Sequence, residues 1–420
     1  MSVDREIVTG EVKVDGWRNL NFFKDVVSQD LALPEKEFQL RHLSVADGTD
    51  KQSGFMSLLH RVVVDVELKD GISMRRSYIV KEKSNQVFGG DLVDKYNVFE
   101  KEIEAYQKLI PELEKLFQYK VKFGPKFYKA VTEPFTVMVM EDLVASGYSM
   151  KDCGNRLDLL DSKLVLSKLA KFHAASAVYF KQNGAFPKLF KTGMYSEEAA
   201  DDYAAYIGNL YNSFKKCLTE RNFSSHYLDI INQWGPNPYV AGAKLFRLKC
   251  DDFNVLNHGD LWMNNVMFGD NDLLMIDFQI AFHGSFTFDL IEFIICTVSV
   301  DHVIDKFDEL IEYYHQELQD AFQTLDYPEL SPTLENVQVD VENHGFLAGI
   351  LTIEAIAMIS YIKVGDLSMD LMSSPDAEGE EFRRKLYRNE KYVDVVDRLL
   401  PFLYDRGYLK CSLDFPNQAK

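Results

Sequence analysis

Between Phe38 and Lys83 apolar and polar positions alternate in three runs, "FQLRHLSV", "MSLLHRVVVDVEL" and "SMRRSYIVKEK", separated by Gly- and Asp-containing breaks. Period-two alternation rich in β-branched residues predicts neighbouring antiparallel strands. From Asp94 to Phe117 the period lengthens: Phe99, Ile103, Tyr106 and Ile110 recur at helical spacing and Pro111 interrupts them, which predicts one amphipathic helix. "KFYKAV" and "FTVMVMEDL" return to strand character. After Leu143 long helical patterns take over, at Leu159–Tyr179, Glu197–Thr219 and His302–Thr324. Strands first and helices afterwards read as an α+β fold with a boundary near residue 145, giving lobes 1–144 and 145–420. The charged stretch "SSPDAEGEEFRR" at 373–384 reads as a solvated loop.

A chain of 420 residues exceeds one ordinary hydrophobic core, which agrees with two lobes. Its 46 basic and 65 acidic residues leave a formal charge of −19, which repels nucleic acid phosphates and anionic membrane surfaces. The N-terminus lacks the apolar core of a signal peptide, and no apolar run is long enough to span a bilayer, so a soluble protein is expected. Cys153, Cys217, Cys250, Cys296 and Cys411 are scattered without a CxxC pair, which points to a reducing cytoplasm rather than a disulfide or zinc scaffold. Neither nucleic acid nor a membrane is an expected partner, and a monomer or weak dimer is expected.

One stretch departs from ordinary core patterning. In "NHGDLWMNNVMFGDNDLLMIDFQIAF", residues 257–282, His258, Asp260 and Asn265 form HxDxxxxN, and Asp277 follows after the hairpin-like turn "GDND". Two Asp, one Asn and no basic side chain make a hard-oxygen set suited to Mg²⁺ rather than zinc. In phosphoryl transfer one carboxylate meets the incoming hydroxyl, while an Asn and a second Asp hold the Mg²⁺ that bridges the ATP phosphates. The plainer reading is a polar turn whose side chains satisfy local backbone groups.

Through "HGDLWMNNVMF", "MIDFQ" and "FDLIEFI" the chain resembles the ecdysteroid kinase-like (CHK kinase-like) family, in the aminoglycoside and choline kinase branch of the protein-kinase-like superfamily. The resemblance implies a two-lobed kinase fold with an antiparallel-sheet N-lobe, ATP and Mg²⁺ as cofactors, and transfer of phosphate to a small-molecule hydroxyl. It implies Asp260 as the catalytic carboxylate, Asn265 and Asp277 as Mg²⁺ ligands, and His258 as a residue holding the loop. Gln279 stands where protein kinases carry the Gly of DFG, which argues against a protein-kinase-style activation switch. Asp289 in "FDLIEFI" reads either as loop support or as a helix N-cap.

In "SYIVKEK", Lys81 and Lys83 share one strand face, so period alone does not choose between them. The family pattern favours Lys81 as the phosphate-binding cation. Phe99, Glu102 and Tyr106 match the family's FxxExxxY, making Glu102 the candidate partner of Lys81, although Glu100 and Glu104 flank it. The resemblance places a phosphate-covering loop in "ADGTDKQSGFMS", ending in Gly54 and Ser57, where a plain hairpin turn is the alternative. It places an adenine-binding backbone at Glu141 to Leu143 in "VMVMEDL". His173, in "LAKFHAAS", reads as a satisfied core histidine.

For the acceptor, aromatics at Tyr203, Tyr206, Tyr211, Trp234 and Tyr239 and the apolar stretch 344–362 are candidate walls, although helical spacing of aromatics is more often core. An ecdysteroid-like steroid or xenobiotic alcohol is expected from the resemblance. The acidic balance suits a cationic, choline-like amino alcohol equally. A catalytically silent pseudokinase is the remaining alternative.

Overall fold

The computed structural model describes residues 16–48, 57–83, 95–152, 155–223, 225–235, 238–249, 252–362 and 364–411. Nine strands run through them: β1 (Phe38–Asp47), β2 (Leu58–Leu68), β3 (Ser73–Glu82), β4 (Phe127–Val131), β5 (Val137–Glu141), β6 (Asn254–Asn257), β7 (Val266–Phe268), β8 (Leu273–Met275) and β9 (Phe282–Ser285). The chain divides into two compact units, one drawn from residues up to 110, 124–149 and 267–276, the other from 111–123, 150–266 and 277 onwards.

The first unit is built on an antiparallel sheet in the order β1-β2-β3-β5-β4. The alternation in β2 sends Val62, Val64 and Val66 into the core, while Arg61, Val63 and Asp65 take the other face. Helix α1 (Lys24–Leu31) supplies Val26 and Val27 to the same core, with Trp17, Phe23, Tyr78 and Tyr128. Asp30 closes this layer by accepting from the hydroxyls of Tyr78 (3.1 Å) and Tyr128 (2.7 Å). The hairpin β7-β8 is closed across its turn by a bond from Gly269 N–H to Asp272 O at 2.8 Å.

The expected helix before Phe117 forms with a different interior. Helix α2 (Val98–Glu104) passes into a π-turn at Ala105–Leu109 before α-helix resumes at Ile110–Leu116. Pro111 therefore does not end the helical run, because it falls in the first turn of the resumed segment, where no intrahelical N–H is required.

The second unit is mostly helical. It includes α3 (Leu159–Asn183), α4 (Ala200–Glu220), α5 (Thr287–Thr297), α6 (Val300–Thr324), α7 (Phe346–Ile353), α8 (Ala355–Tyr361) and α9 (Ala377–Arg388). The short pair β6-β9 is its sheet. Helix α5 is buried at every position, so it serves as an internal support rather than a surface helix. The apolar stretch 344–362 is not one helix: it breaks at Glu354, where φ is −102° and ψ −78°. The expected loop at 373–384 is also corrected, since Asp376 caps α9 by accepting from Gly379 N–H at 2.8 Å. Acidic residues in the first turn and basic ones in the last complement that helix's dipole. No single helix among the described residues is long and apolar enough to cross a membrane.

Candidate active site

The HxDxxxxN segment begins where β6 ends. Gly259 sits at φ +83°, and a Cβ there would come within 2.5 Å of Ile280 O, so only glycine fits between His258 and Asp260. His258 is fully buried with its ring 4.5 Å from that of Phe278, and its Nδ1 accepts from Asp260 N–H at 3.3 Å.

Asn265 Nδ2 donates to the Asp260 main-chain oxygen (2.8 Å) and to Asp260 Oδ2 (2.9 Å). This commits the amide nitrogen to the neighbouring carboxylate and leaves Oδ1 as the atom that can face a cation. Asp277 adopts φ +70°, a left-handed conformation uncommon outside glycine, which turns the chain sharply after β8. Burial, and after it the Asp277 charge, pushes the Asp260 carboxyl up to about 7, with Glu354 adding to the rise. Hydrogen bonds from Asn265 and Trp262 act in the opposite direction. Asp260, Asn265 and Asp277 are therefore brought together electrostatically and by hydrogen bonding.

This donor set fits Mg²⁺. No group of three or more His, Cys, Asp or Glu side chains suited to a metal is gathered among the described residues. Mg²⁺ characteristically takes only one or two protein carboxylates and completes its shell with phosphate and water. A carboxylate and an amide oxygen from Asp277 and Asn265, beside a second carboxylate, meet that demand.

Asp289 is the third residue of α5, whose N-cap is Phe286, so the N-cap reading is corrected. Its carboxylate instead accepts from His258 N–H (2.6 Å) and Gly259 N–H (2.9 Å). His173 is buried on α3 as expected, with Nδ1 2.7 Å from Tyr314 Oη and Nε2 3.2 Å from Asp289 Oδ2. It therefore orients the carboxylate that holds the loop, a role its apolar surroundings in sequence did not reveal.

In the first unit, β3 stands between β2 and β5, with Lys81 opposite Leu59 and Met138. Lys81 Nζ donates to Glu102 Oε2 at 2.6 Å, and both side chains are almost fully buried. Lys83 follows the end of the strand and meets Glu100 at 3.4 Å. Phe99, Glu102 and Tyr106 are all buried, as one helical face requires. Tertiary packing thus distinguishes two lysines that strand period could not.

Glu141 N–H is spent on Lys126 O (2.8 Å), and Leu143 O accepts from Ser146 and Tyr148 N–H. The Leu143 N–H meets no acceptor among the described residues, which makes it the group of this stretch available to an adenine edge. The buried Asp142 carboxylate holds the stretch in place through Arg61 Nε (2.8 Å), Ser77 Oγ (2.6 Å) and Val144 N–H (3.2 Å). Ser57 is buried immediately before β2, whereas Gly54 lies outside the described residues.

The aromatic candidates divide. Tyr211 and Trp234 stack at 6.0 Å and are core. Tyr203 and Tyr239 stack at 5.9 Å, and Tyr239 stacks in turn on Tyr195 at 5.5 Å. Tyr195 Oη donates to Glu354 Oε2 at 3.1 Å, and Tyr206 also bonds to Glu354. Burial pushes the Glu354 carboxyl up to about 7 against those two bonds. Sequence reasoning missed this carboxylate, whose one local signal was a charged residue where the helical pattern demanded an apolar one.

Among solved structures the chain is similar to choline kinase from Cryptosporidium parvum Iowa II, at 15% identity over 93% of this chain and 98% of that one, with TM-score 0.46. It is also similar to a choline/ethanolamine kinase family protein from Mesorhizobium loti, at 12% identity over 84% and 91%, TM-score 0.35. A third is the amicoumacin kinase hAmiN in complex with AMP-PNP, Ca²⁺ and Ami, at 15% identity over 86% and 92%, TM-score 0.34. No curated protein matches. The sequence profile of the ecdysteroid kinase-like family matches residues 51–327, and the chain belongs to that family.

Proposed function

We propose that the protein is an ATP- and Mg²⁺-dependent small-molecule O-kinase, with an ecdysteroid-like steroid or a xenobiotic alcohol as acceptor. The observation that carries this reading is Asn265 bonded to Asp260 with the Asp277 charge acting on that same Asp260 carboxyl. Residues 1–144 form its nucleotide-binding lobe and 145–420 its catalytic lobe. Lys81, oriented by Glu102, holds the ATP phosphates together with a phosphate-covering loop ending in Gly54 and Ser57, and the backbone at Glu141 to Leu143 holds adenine. Asn265 and Asp277 hold Mg²⁺, which when bound neutralises charge on the transferring phosphoryl group. Asp260 takes the proton of the acceptor hydroxyl. A carboxyl raised toward neutral pH is a stronger base once ionised, which suits proton removal from an alcohol.

One observation favours a cationic amino alcohol as the second reading. Glu354 is a buried carboxylate among tyrosines, and no Lys, Arg or His nitrogen among the described residues lies within 4.0 Å of it. A ligand ammonium would offset its burial. Mass-spectrometric detection of added phosphate across steroids, amino alcohols and plant phenolics, with ATP and Mg²⁺, tests both readings. Failure to phosphorylate any hydroxyl while ATP still binds would point to a pseudokinase.

A further inference from the structure

Asp260 can serve as a base only if its backbone is held, and the bonds around it are unusually complete. Asp289 takes the N–H groups of His258 and Gly259, and His258 Nδ1 takes that of Asp260. The next amide, Leu261 N–H, donates to Glu292 Oε2 at 2.8 Å. Four consecutive amides, from His258 to Leu261, therefore end on side chains rather than on backbone or water. Leu261 is fully buried, so its amide has no solvent alternative.

Asp289 and Glu292 are one turn apart on the wholly buried helix α5, the spacing that places two side chains on one face. One grips the peptides before Asp260 and the other the peptide after it. We infer that Glu292 is a positioning residue for the candidate base Asp260, acting through its hydrogen bond to Leu261 N–H; the inference rests on the phosphotransfer reading above. An oxygen, rather than a negative charge, is what the amide uses. The surroundings agree, since burial and the charges of Asp260 and Asp289 hold the Glu292 carboxyl well above the usual carboxylate range.

This separates three substitutions. Glu292→Gln keeps an acceptor oxygen at the same reach. Glu292→Asp keeps the carboxyl group but shortens the side chain by one methylene, and Glu292→Ala removes the acceptor. With the full chain, ADP release from ATP, Mg²⁺ and an ecdysteroid acceptor should fall about 10- to 100-fold in kcat for Glu292→Ala and Glu292→Asp, with KM for ATP within about twofold. Glu292→Gln should stay within about threefold of the parent in kcat, because geometry is preserved. Hydrogen exchange across peptide 258–264 should quicken in the Ala and Asp variants and not in Gln.

Equal losses in Gln and Ala would overturn the inference in favour of a charge effect, and parent-like kcat in Ala or Asp would overturn it outright. If Glu292→Ala does not fold, the Gln and Asp pair decides by the same criteria. If the parent itself releases no ADP, the phosphotransfer reading fails, while the exchange rates still decide whether Glu292 anchors the loop: unchanged exchange in every variant rejects the anchor.

Discussion

The two charged centres of this molecule follow opposite rules. In the first unit Lys81 and Glu102 meet as a buried pair of opposite charge, 2.6 Å apart, so each side chain offsets the other's desolvation. Around the HxDxxxxN loop the second unit gathers like charges instead: burial raises the carboxyls of Asp260, Glu292 and Glu354, and the charge of Asp277 adds to the rise at Asp260. The first arrangement fixes a buried cation by a carboxylate of opposite charge, which suits an oriented support. The second is suited to meeting cationic and proton-bearing groups, as the proposed binding of Mg²⁺ and an acceptor hydroxyl requires.

The largest expected effect comes from the like-charge centre. Asp260→Asn should remove phosphate transfer, lowering kcat by about 10²- to 10⁴-fold, the range of a general base, with the melting temperature retained. Asp277→Ala should abolish transfer together with Mg²⁺-dependent nucleotide binding. A parent-like rate in either variant, measured by ADP release, would break the assignment.

Next comes the opposite-charge centre, where the cost should appear in stability before activity. Glu102→Ala removes the carboxylate 2.6 Å from the buried Lys81 ammonium, which is expected to cost ~3–5 kcal/mol in chemical denaturation. A loss below ~1 kcal/mol would show that the pair is not the support its burial implies.

The third prediction concerns pH. Glu354 rises from an ordinary 4.5 to about 7 on folding, so between those values the folded state holds a proton that the unfolded state has released. Stability from this group is therefore fully present below 4.5 and lost as pH rises through about 7. Glu354→Gln should flatten that part of the melting-temperature profile of the metal-free protein. An unchanged slope would remove Glu354 from the like-charge centre.

The smallest effect belongs to Ser77→Ala, which deletes one of the bonds holding Asp142. It should cost ~1 kcal/mol and raise KM for ATP modestly with little change in kcat. A kcat effect without a KM effect would show that Asp142 does not act through the adenine-facing backbone.

The strands β1 to β5 and the long helices were legible because local period reports which face is buried. Helix α9 carried its own signals, in Asp376 and the charges at its two ends, but the density of polar residues concealed them. Pro111 misled for a different reason: its effect depends on where a π-turn restarts the helix, which single-residue propensity does not contain. At the site, Lys81 was separable from Lys83 only by the resemblance, until the packing of α2 brought Glu102 to it.

By itself the sequence determined the spacing of His258, Asp260, Asn265 and Asp277, the strand and helix periods that carry them, and the family they belong to. Only the tertiary structure decided that Asp289, Glu292 and His173 serve the loop and that Glu354 adds its charge to Asp260. The physical reason is that spacing along a chain encodes neighbours within a strand or a turn of helix. Hydrogen bonds and fields between distant elements depend on which buried faces pack together, and a single buried carboxylate carries no periodic signal of its partner.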